Sequence, residues 1–222
     1  MFCETVKNGQ SLSYYLEEEQ RLAREFASLE GERRKGLFFV WQSPPTVICG
    51  HNQVVENEVD LAFCREKGIA VVQRRSGGGA VYSDAGNVML SFVLPRGPVE
   101  KWFPAVLGAM AEFLRSLGLN AEVTGHNDIL VDGRKVSGNA FFQAPGASIV
   151  HGTMLFDVDF AVLERVLTPP KEKLERHGVA SVRARVANLK PLLEAAGNPM
   201  DLPTFLSRLA AWFRRSTYIL DY

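Results

Sequence analysis

Lys135 stands just beyond an Asp132-Gly133 dipeptide, and Asn127-Asp128 stands just before it. An ammonium and a carboxylate brought together across a hairpin can steady developing negative charge and hold a cation, as phosphoryl and acyl transfer require. Upstream, Arg74 and Arg75 lead into Ser76-Gly77-Gly78-Gly79-Ala80-Val81-Tyr82. Three glycines in a row are costly in chain entropy. They mark either a wide turn that needs positive φ or a loop whose N–H groups cradle an anion. The paired guanidinium groups favour the anion, because they match phosphate and carboxylate oxygens. The run is not a P-loop, since no Gly-Lys-Ser or Gly-Lys-Thr follows it. It is not a dinucleotide fingerprint either, whose spaced glycines open a helix.

A third group is His151-Gly152-Thr153, which shares a theme with Gly138 and Ala140. Small residues inside strands weaken a sheet and mark close approach by a ligand or another backbone. They are read as lining a narrow slot for an alkyl chain. His151 is either a base or a hydrogen-bonded residue of an apolar strand. No nucleophile can be assigned beside it in the sequence, which favours the second reading.

These residues need elements to hold them. If Asp132-Gly133 is a two-residue type I′ loop, Val131 pairs with Arg134 and Leu130 with Lys135. Asp128, Leu130, Lys135 and Ser137 then share a face, with Asp128 and Lys135 diagonal neighbours about 7–8 Å apart. A one-residue change of register would turn Lys135 away, leaving it a solvated lysine beside a turn. Helical spacing of Leu12, Tyr15, Leu16, Leu22, Phe26 and Leu29 predicts an amphipathic helix over 11–29. Trp102 through Leu117 predicts a second, with Pro104 in its first turn, and Phe205 through Phe213 a last one. Leu163, Val166 and Leu167 begin a short helix ended by Pro169-Pro170. Strands are expected at 37–41 and 46–49 around a Ser43-Pro44-Pro45 turn, and at 69–72, 88–94 and 148–156. Strands mixed with separated helices and close hairpins give an α+β domain with a mixed, largely antiparallel sheet.

The 222 residues suffice for one such domain. Lys plus Arg and Asp plus Glu are both 25, and a net charge of zero argues against duplex nucleic acid as a partner. No apolar run reaches the roughly 20 residues of a membrane helix, and no signal peptide is read at the N-terminus. Cys3, Cys49 and Cys64 are odd in number and unpaired in spacing, as for reduced thiols in the cytoplasm.

In order and spacing these segments resemble the lipoate–protein ligases. The resemblance runs from about Leu16 to Leu192 and includes Gly50-His51-Asn52-Gln53, Arg74 to Tyr82, Asp84 with Gly86-Asn87, Asn127-Asp128, Asp132 to Ala140, His151-Gly152-Thr153 and Gly178 to Leu189. Gln73, His51 and Ser83 stand where the family commonly has Arg, Arg and His. The resemblance implies a biotin-ligase-like, class II synthetase-like catalytic domain over 1–222, with the accessory C-terminal domain of many relatives absent or supplied by a separate protein. It implies lipoate as substrate, ATP and Mg²⁺, and a lipoyl-AMP intermediate. The acceptor would be a lysine of a lipoyl carrier domain, from 2-oxoacid dehydrogenase acyltransferase subunits or the glycine-cleavage H protein.

By motif, Lys135 is the catalytic cation. Arg74, Ser76, Gly77, Gly78, Gly79, Ala80, Val81 and Tyr82 hold nucleotide and acyl-adenylate. Gly138, Ala140, His151, Gly152 and Thr153 line the substrate site. Asn87 and Asp128 belong to the metal and phosphate region. The alternatives are a lipoyl or octanoyl transferase of the same fold, with or without a catalytic cysteine, and a non-catalytic lipoate-binding protein. A cysteine-dependent transferase carries Pro-Cys where this chain has Thr168-Pro169-Pro170, and none of the three cysteines is placed to become an activated thiolate.

Overall fold

Two sheets divide the strands, and the space between them is where the site forms. The structure is a computed structural model that describes residues 1–7, 9–124, 127–168, 185–215 and 219. The main sheet has the order β1 (Phe2–Cys3), β2 (Leu37–Trp41), β6 (Asn87–Leu94), β10 (Ser148–Leu155), β9 (Arg134–Gln143), β8 (Asp128–Val131), β7 (Ala121–Thr124). Only β1 and β2 pair in parallel; the other pairings are antiparallel. The small sheet has the order β4 (Ala70–Gln73), β3 (Thr46–Cys49), β5 (Val81–Ser83), parallel on one side of β3 and antiparallel on the other. The α+β class expected from the sequence is the one observed. The Ser43-Pro44-Pro45 turn does not close a hairpin; it carries the chain from the main sheet to the small one.

Strand β6 lies inside the sheet and is buried along its whole length, so it is mostly apolar on both faces, interrupted by Asn87 and Ser91. Val88, Leu90, Phe92 and Leu94 pack towards α4 (Val99–Ser116), α6 (Leu189–Ala195) and α7 (Leu202–Arg215). Met89 and Val93 point the other way, towards α1 (Leu12–Glu25). Ser11 caps α1 by accepting from the Tyr14 N–H. The helix expected over 11–29 is α-helical to Glu25 and then tightens into a 3-10 turn at Phe26–Ser28.

Helix α4 corrects one expectation. It begins at Val99 after Pro98, so Pro104 lies beyond the first turn. Its ring removes the bond to the Glu100 carbonyl, and both residues are exposed, on the side of the helix where the lost bond costs least. Helices α2 (Val55–Glu58), α3 (Leu61–Lys67) and α5 (Phe160–Val166) complete the half of the molecule around the small sheet. Asp60 and Asp159 cap α3 and α5. Pro169-Pro170 lie outside the described residues. Among the described residues no helix is long and apolar enough to cross a membrane.

Candidate functional site

A cavity of about 580 Å³ lies between the main sheet, the small sheet and α1. One end is apolar, walled by Leu12 and Leu16 of α1, Trp41 of β2, Ile48 of β3 and Met89 of β6. The other end carries Asn127, Asp128, Lys135 and Arg185. Gly78, Gly79, Ala80 and Val81 line the side between them. Such a space suits a molecule with an alkyl tail and an anionic head.

Lys135 is set by its hairpin as the sequence suggested, with one change. The Asp132-Gly133 turn has positive φ at both residues, and Val131 pairs with Arg134 and Leu130 with Lys135. Strand β9 then carries an extra residue, Val136, so that Ile129 pairs with Ser137 and Asp128 with Gly138. Ser137 is therefore not on the face of Lys135, where strict alternation put it; it is fully buried. Gly138 takes that place, and Lys135 folds over it. Lys135 Nζ lies 2.7 Å from Asp128 Oδ1, and Arg185 Nη2 lies 2.5 Å from Asp128 Oδ2. Two cations thus share one carboxylate, leaving a net positive charge at this end.

Arg185 lies in the Gly178 to Leu189 stretch but was not among the expected site residues. It is fixed from the backbone, because Val186 bridges Lys135 and the Ala187 N–H donates to the Lys135 carbonyl at 2.9 Å. Nothing in local spacing marks it, since the partner strand is distant in sequence.

The glycine loop is held mainly by Arg74, which is 8% exposed. Its Nε donates to Ser76 Oγ at 3.0 Å, Nη1 to the Ile48 carbonyl at 3.0 Å, and Nη2 to the carbonyls of Gly77 at 2.8 Å and Gly79 at 3.0 Å. Burial lowers its pKa below the usual guanidinium value. Three of these bonds are directed at the loop and the fourth at β3. Arg74 lines the cavity as expected, and in this geometry it also holds the loop carbonyls of Gly77 and Gly79. The N–H groups of Gly77, Gly78 and Gly79 make no protein hydrogen bond among the described residues. The Ala80 N–H is taken by Glu58 Oε2 at 3.0 Å. Gly78 has φ +97°, and a carbon added to Gly50 would stand 1.9 Å from the Gly78 carbonyl oxygen, so both glycines are needed for this shape. Gln73 donates to the carbonyls of Gly50, His51 and Gln53, which gives that departure from the family pattern a role in the adjoining turn.

Alternation along β5 sends Val81 to the cavity and Tyr82 away from it. Tyr82 packs with Val47 and Cys49, and burial together with Asp84 pushes its phenol pKa up. Ser76 and Gly77 do not line the cavity; Ser76 borders a smaller one of about 190 Å³. His151 borders both, bonded at each ring nitrogen to Ser76 Oγ and to Glu19. Ala140 pairs with His151, and Thr153 with Gly138. Gly138, Ala140, Gly152 and Thr153 all line the large cavity, where the sequence placed them, and the two glycines also make room for side chains. Gly138 seats Lys135, and Gly152 makes room for Asn139, whose Oδ1 would stand 1.8 Å from an added carbon.

Asn87 and Asp128 are not brought together. They sit on β6 and β8, three strands apart, or roughly 14 Å at the usual spacing. Among the described residues no three His, Cys, Asp or Glu groups gather for a metal. Asp128 is engaged by two cations, Lys135 and Arg185. Cys49 and Cys64 are buried, and burial raises both thiol pKa values. No cysteine lines the cavity.

Residues 13–214 match the family described as the Lipoyl protein ligase A/B catalytic domain. The chain is 41% identical over 167 residues to the lipoate-protein ligase LplJ of Bacillus subtilis, covering 75% of this chain and 50% of that protein. It superimposes on a bipartite lipoate protein ligase from Thermoplasma acidophilum, described with its E2 lipoyl domain, with a TM-score of 0.77 at 27% identity; 99% of this chain and 83% of the other are covered. A lipoate-protein ligase A crystallised with ATP gives a TM-score of 0.77 at 26% identity, covering 100% and 86%. The chain spans about half the length of the curated relatives it matches.

Proposed function

Because the chain belongs to the lipoyl protein ligase A/B catalytic-domain family, we propose that it activates lipoate with ATP and passes the lipoyl group to a lysine of a carrier domain. In the first step a carboxylate oxygen of lipoate attacks the α-phosphorus of ATP, and pyrophosphate leaves. In the second the lysine amine attacks the acyl carbon of lipoyl-AMP, and AMP leaves with the bridging oxygen. The observation that carries this reading is the seat of Lys135. A cation is fixed over Gly138 at the polar end of a cavity whose other end is apolar.

The apolar end suits the dithiolane and alkyl chain, which leaves the carboxylate beside Lys135. Charge builds on the carboxyl and phosphate oxygens in both steps, and a positioned cation there acts mainly on the transition state. The free amides of Gly78 and Gly79 are placed for phosphate oxygens. Mg²⁺ is read as entering with the triphosphate, since among the described residues no three His, Cys, Asp or Glu groups gather for it. The E2 lipoyl domain described with the archaeal ligase supports a lipoyl domain as acceptor, and an ATP-dependent reaction suits the cytoplasm.

The buried thiols disfavour transfer through a cysteine acyl-enzyme, because such a nucleophile needs access and a lowered pKa. The test is to incubate the purified chain with ATP, Mg²⁺, lipoate and a lipoyl domain, then weigh the domain. A mass gain of one lipoyl group that requires ATP supports the reading. Transfer from an octanoyl carrier without ATP, lost on changing one cysteine, overturns it.

A further inference from the structure

Ser76, His151 and Glu19 belong to one directed chain of hydrogen bonds. Arg74 Nε donates to Ser76 Oγ at 3.0 Å. Ser76 Oγ lies 2.7 Å from His151 Nε2, and His151 Nδ1 lies 3.0 Å from each carboxylate oxygen of Glu19. Ser91 donates to Glu19 Oε1 at 2.6 Å and accepts from Trp41 Nε1 at 2.9 Å. A carboxylate only accepts, which assigns the proton of a neutral imidazole to Nδ1 and makes Nε2 the acceptor of the Ser76 hydroxyl. Every donor then meets an acceptor, from the Trp41 indole to the Arg74 guanidinium.

Serine, histidine and carboxylate in this order have the geometry of an acyl-transfer triad. Burial speaks against that use, since Ser76 is 2% exposed and does not border the large cavity. What the chain does hold is the glycine loop. Ser76 opens that loop, which joins two strands of the small sheet, whereas His151 lies on the main sheet with Lys135. The two sheets share no ladder. The other bonds of the loop, to Ile48, His51 and Glu58, stay within the small-sheet half. Among the described residues, the Ser76–His151 bond is the one by which the loop is tied to the main sheet.

We propose that His151 is a positioning residue, held by Glu19, that sets the glycine loop against Lys135 by way of Ser76. The proposal rests on the nucleotide-binding reading of the loop given above. A phosphate gripped by loop amides on one sheet and an ammonium on the other is well placed only if the two halves are in register.

Two variants separate this role from a merely structural one. The amide of His151→Asn falls near Nδ1, keeping the contact with Glu19 and losing that with Ser76. The amide of His151→Gln reaches the place of Nε2, keeping Ser76 and leaving the buried Glu19 short of a partner. Stability and function should therefore rank oppositely. His151→Gln lowers Tm more, while its KM for ATP rises less than about threefold. His151→Asn lowers Tm less, yet raises the ATP KM by on the order of tenfold to a hundredfold, with lipoate affinity little changed. In the ligand-free protein, amide order parameters at Gly77 and Gly78 fall from about 0.85 towards 0.6 in His151→Asn and hold in His151→Gln.

If ATP KM and loop order instead follow Tm, His151 is structural only and the proposal fails. A hydroxylamine-labile acyl group on Ser76 also overturns it, by making Ser76 the nucleophile. Should wild-type protein not consume ATP and lipoate, the functional reading falls, and the order parameters alone decide the positioning claim.

Discussion

Lys135 lies across Gly138, so that a carbon built on that glycine would stand 2.7 Å from the ammonium nitrogen and 2.8 Å from Cε. The glycine is a seat for a side chain from its own strand. Gly138→Ala is therefore expected to move the ammonium and reduce adenylation by on the order of tenfold to a hundredfold. The backbone there is ordinary strand, so Tm should change little. Turnover near the wild-type level would remove the seat from the mechanism.

Lys135→Ala should fold, because Asp128 keeps Arg185 as a partner. Its adenylation rate is expected to drop by roughly a hundredfold to a thousandfold, as for other lost charge-stabilising groups. Pyrophosphate–ATP exchange measures the first step and mass spectrometry of a lipoyl domain the second.

Arg74→Ala removes four bonds made to the loop and to Ile48. Each charged hydrogen bond contributes about 1.5–3 kcal/mol, and the carbonyls left behind lose their partner. Urea unfolding should register a loss of several kcal/mol, and calorimetry should find ATP and lipoyl-AMP weakened alike. Arg74→Lys cannot restore the fork. A stable Arg74→Ala protein that fails only with phosphate-bearing ligands would return Arg74 to direct contact.

Gly78→Val is expected to abolish nucleotide binding more completely than it lowers Tm. The residue has φ +97°, and an added carbon would stand 2.8 Å from Arg74 Nη2, so the branched side chain disturbs both loop and clamp. Comparable losses of binding and stability would show the loop to be a structural turn.

The cysteines give a pH prediction. Burial raises the pKa of Cys49 and Cys64, so the folded state favours the neutral thiols. Their contribution to stability is complete below the ordinary thiol pKa, about 8.5, and is lost as pH rises through the higher folded values. Alkylation of Cys49 and Cys64 in the folded protein at pH 8 should be slow, and Cys49→Ala or Cys64→Ala should leave transfer dependent on ATP. Rapid labelling of either cysteine with loss of transfer would contradict this.

Much of the frame was legible because local signals carried it. Asp132-Gly133 announced its hairpin, and the apolar runs at 37–41 and 46–49 coincide with β2 and β3. The site was less legible where tertiary partners decide. Arg74 was expected at the cavity because a guanidinium fits phosphate, and the loop carbonyls that it also holds are acceptors that no spacing reveals. Glu19 went unremarked, although a carboxylate between Tyr15 and Leu22 on the buried stripe of α1 was a sign to follow. Asn87 and Asp128 looked related only while strand order was unknown.

The extra residue in β9 has a consequence for how this stretch tolerates change in length. Loops elsewhere can gain or lose residues and leave each side chain on its own face. Val136 is the residue without a partner, so its loss leaves Leu130 opposite Lys135, Ile129 opposite Ser137 and Asp128 opposite Gly138, with lysine and glycine still on one face. A deletion beyond Gly138, where each residue is paired with β10, has no such slack and swaps the two faces of all that follows. The stretch from lysine to glycine is thus the part of β9 that can be shortened by one residue.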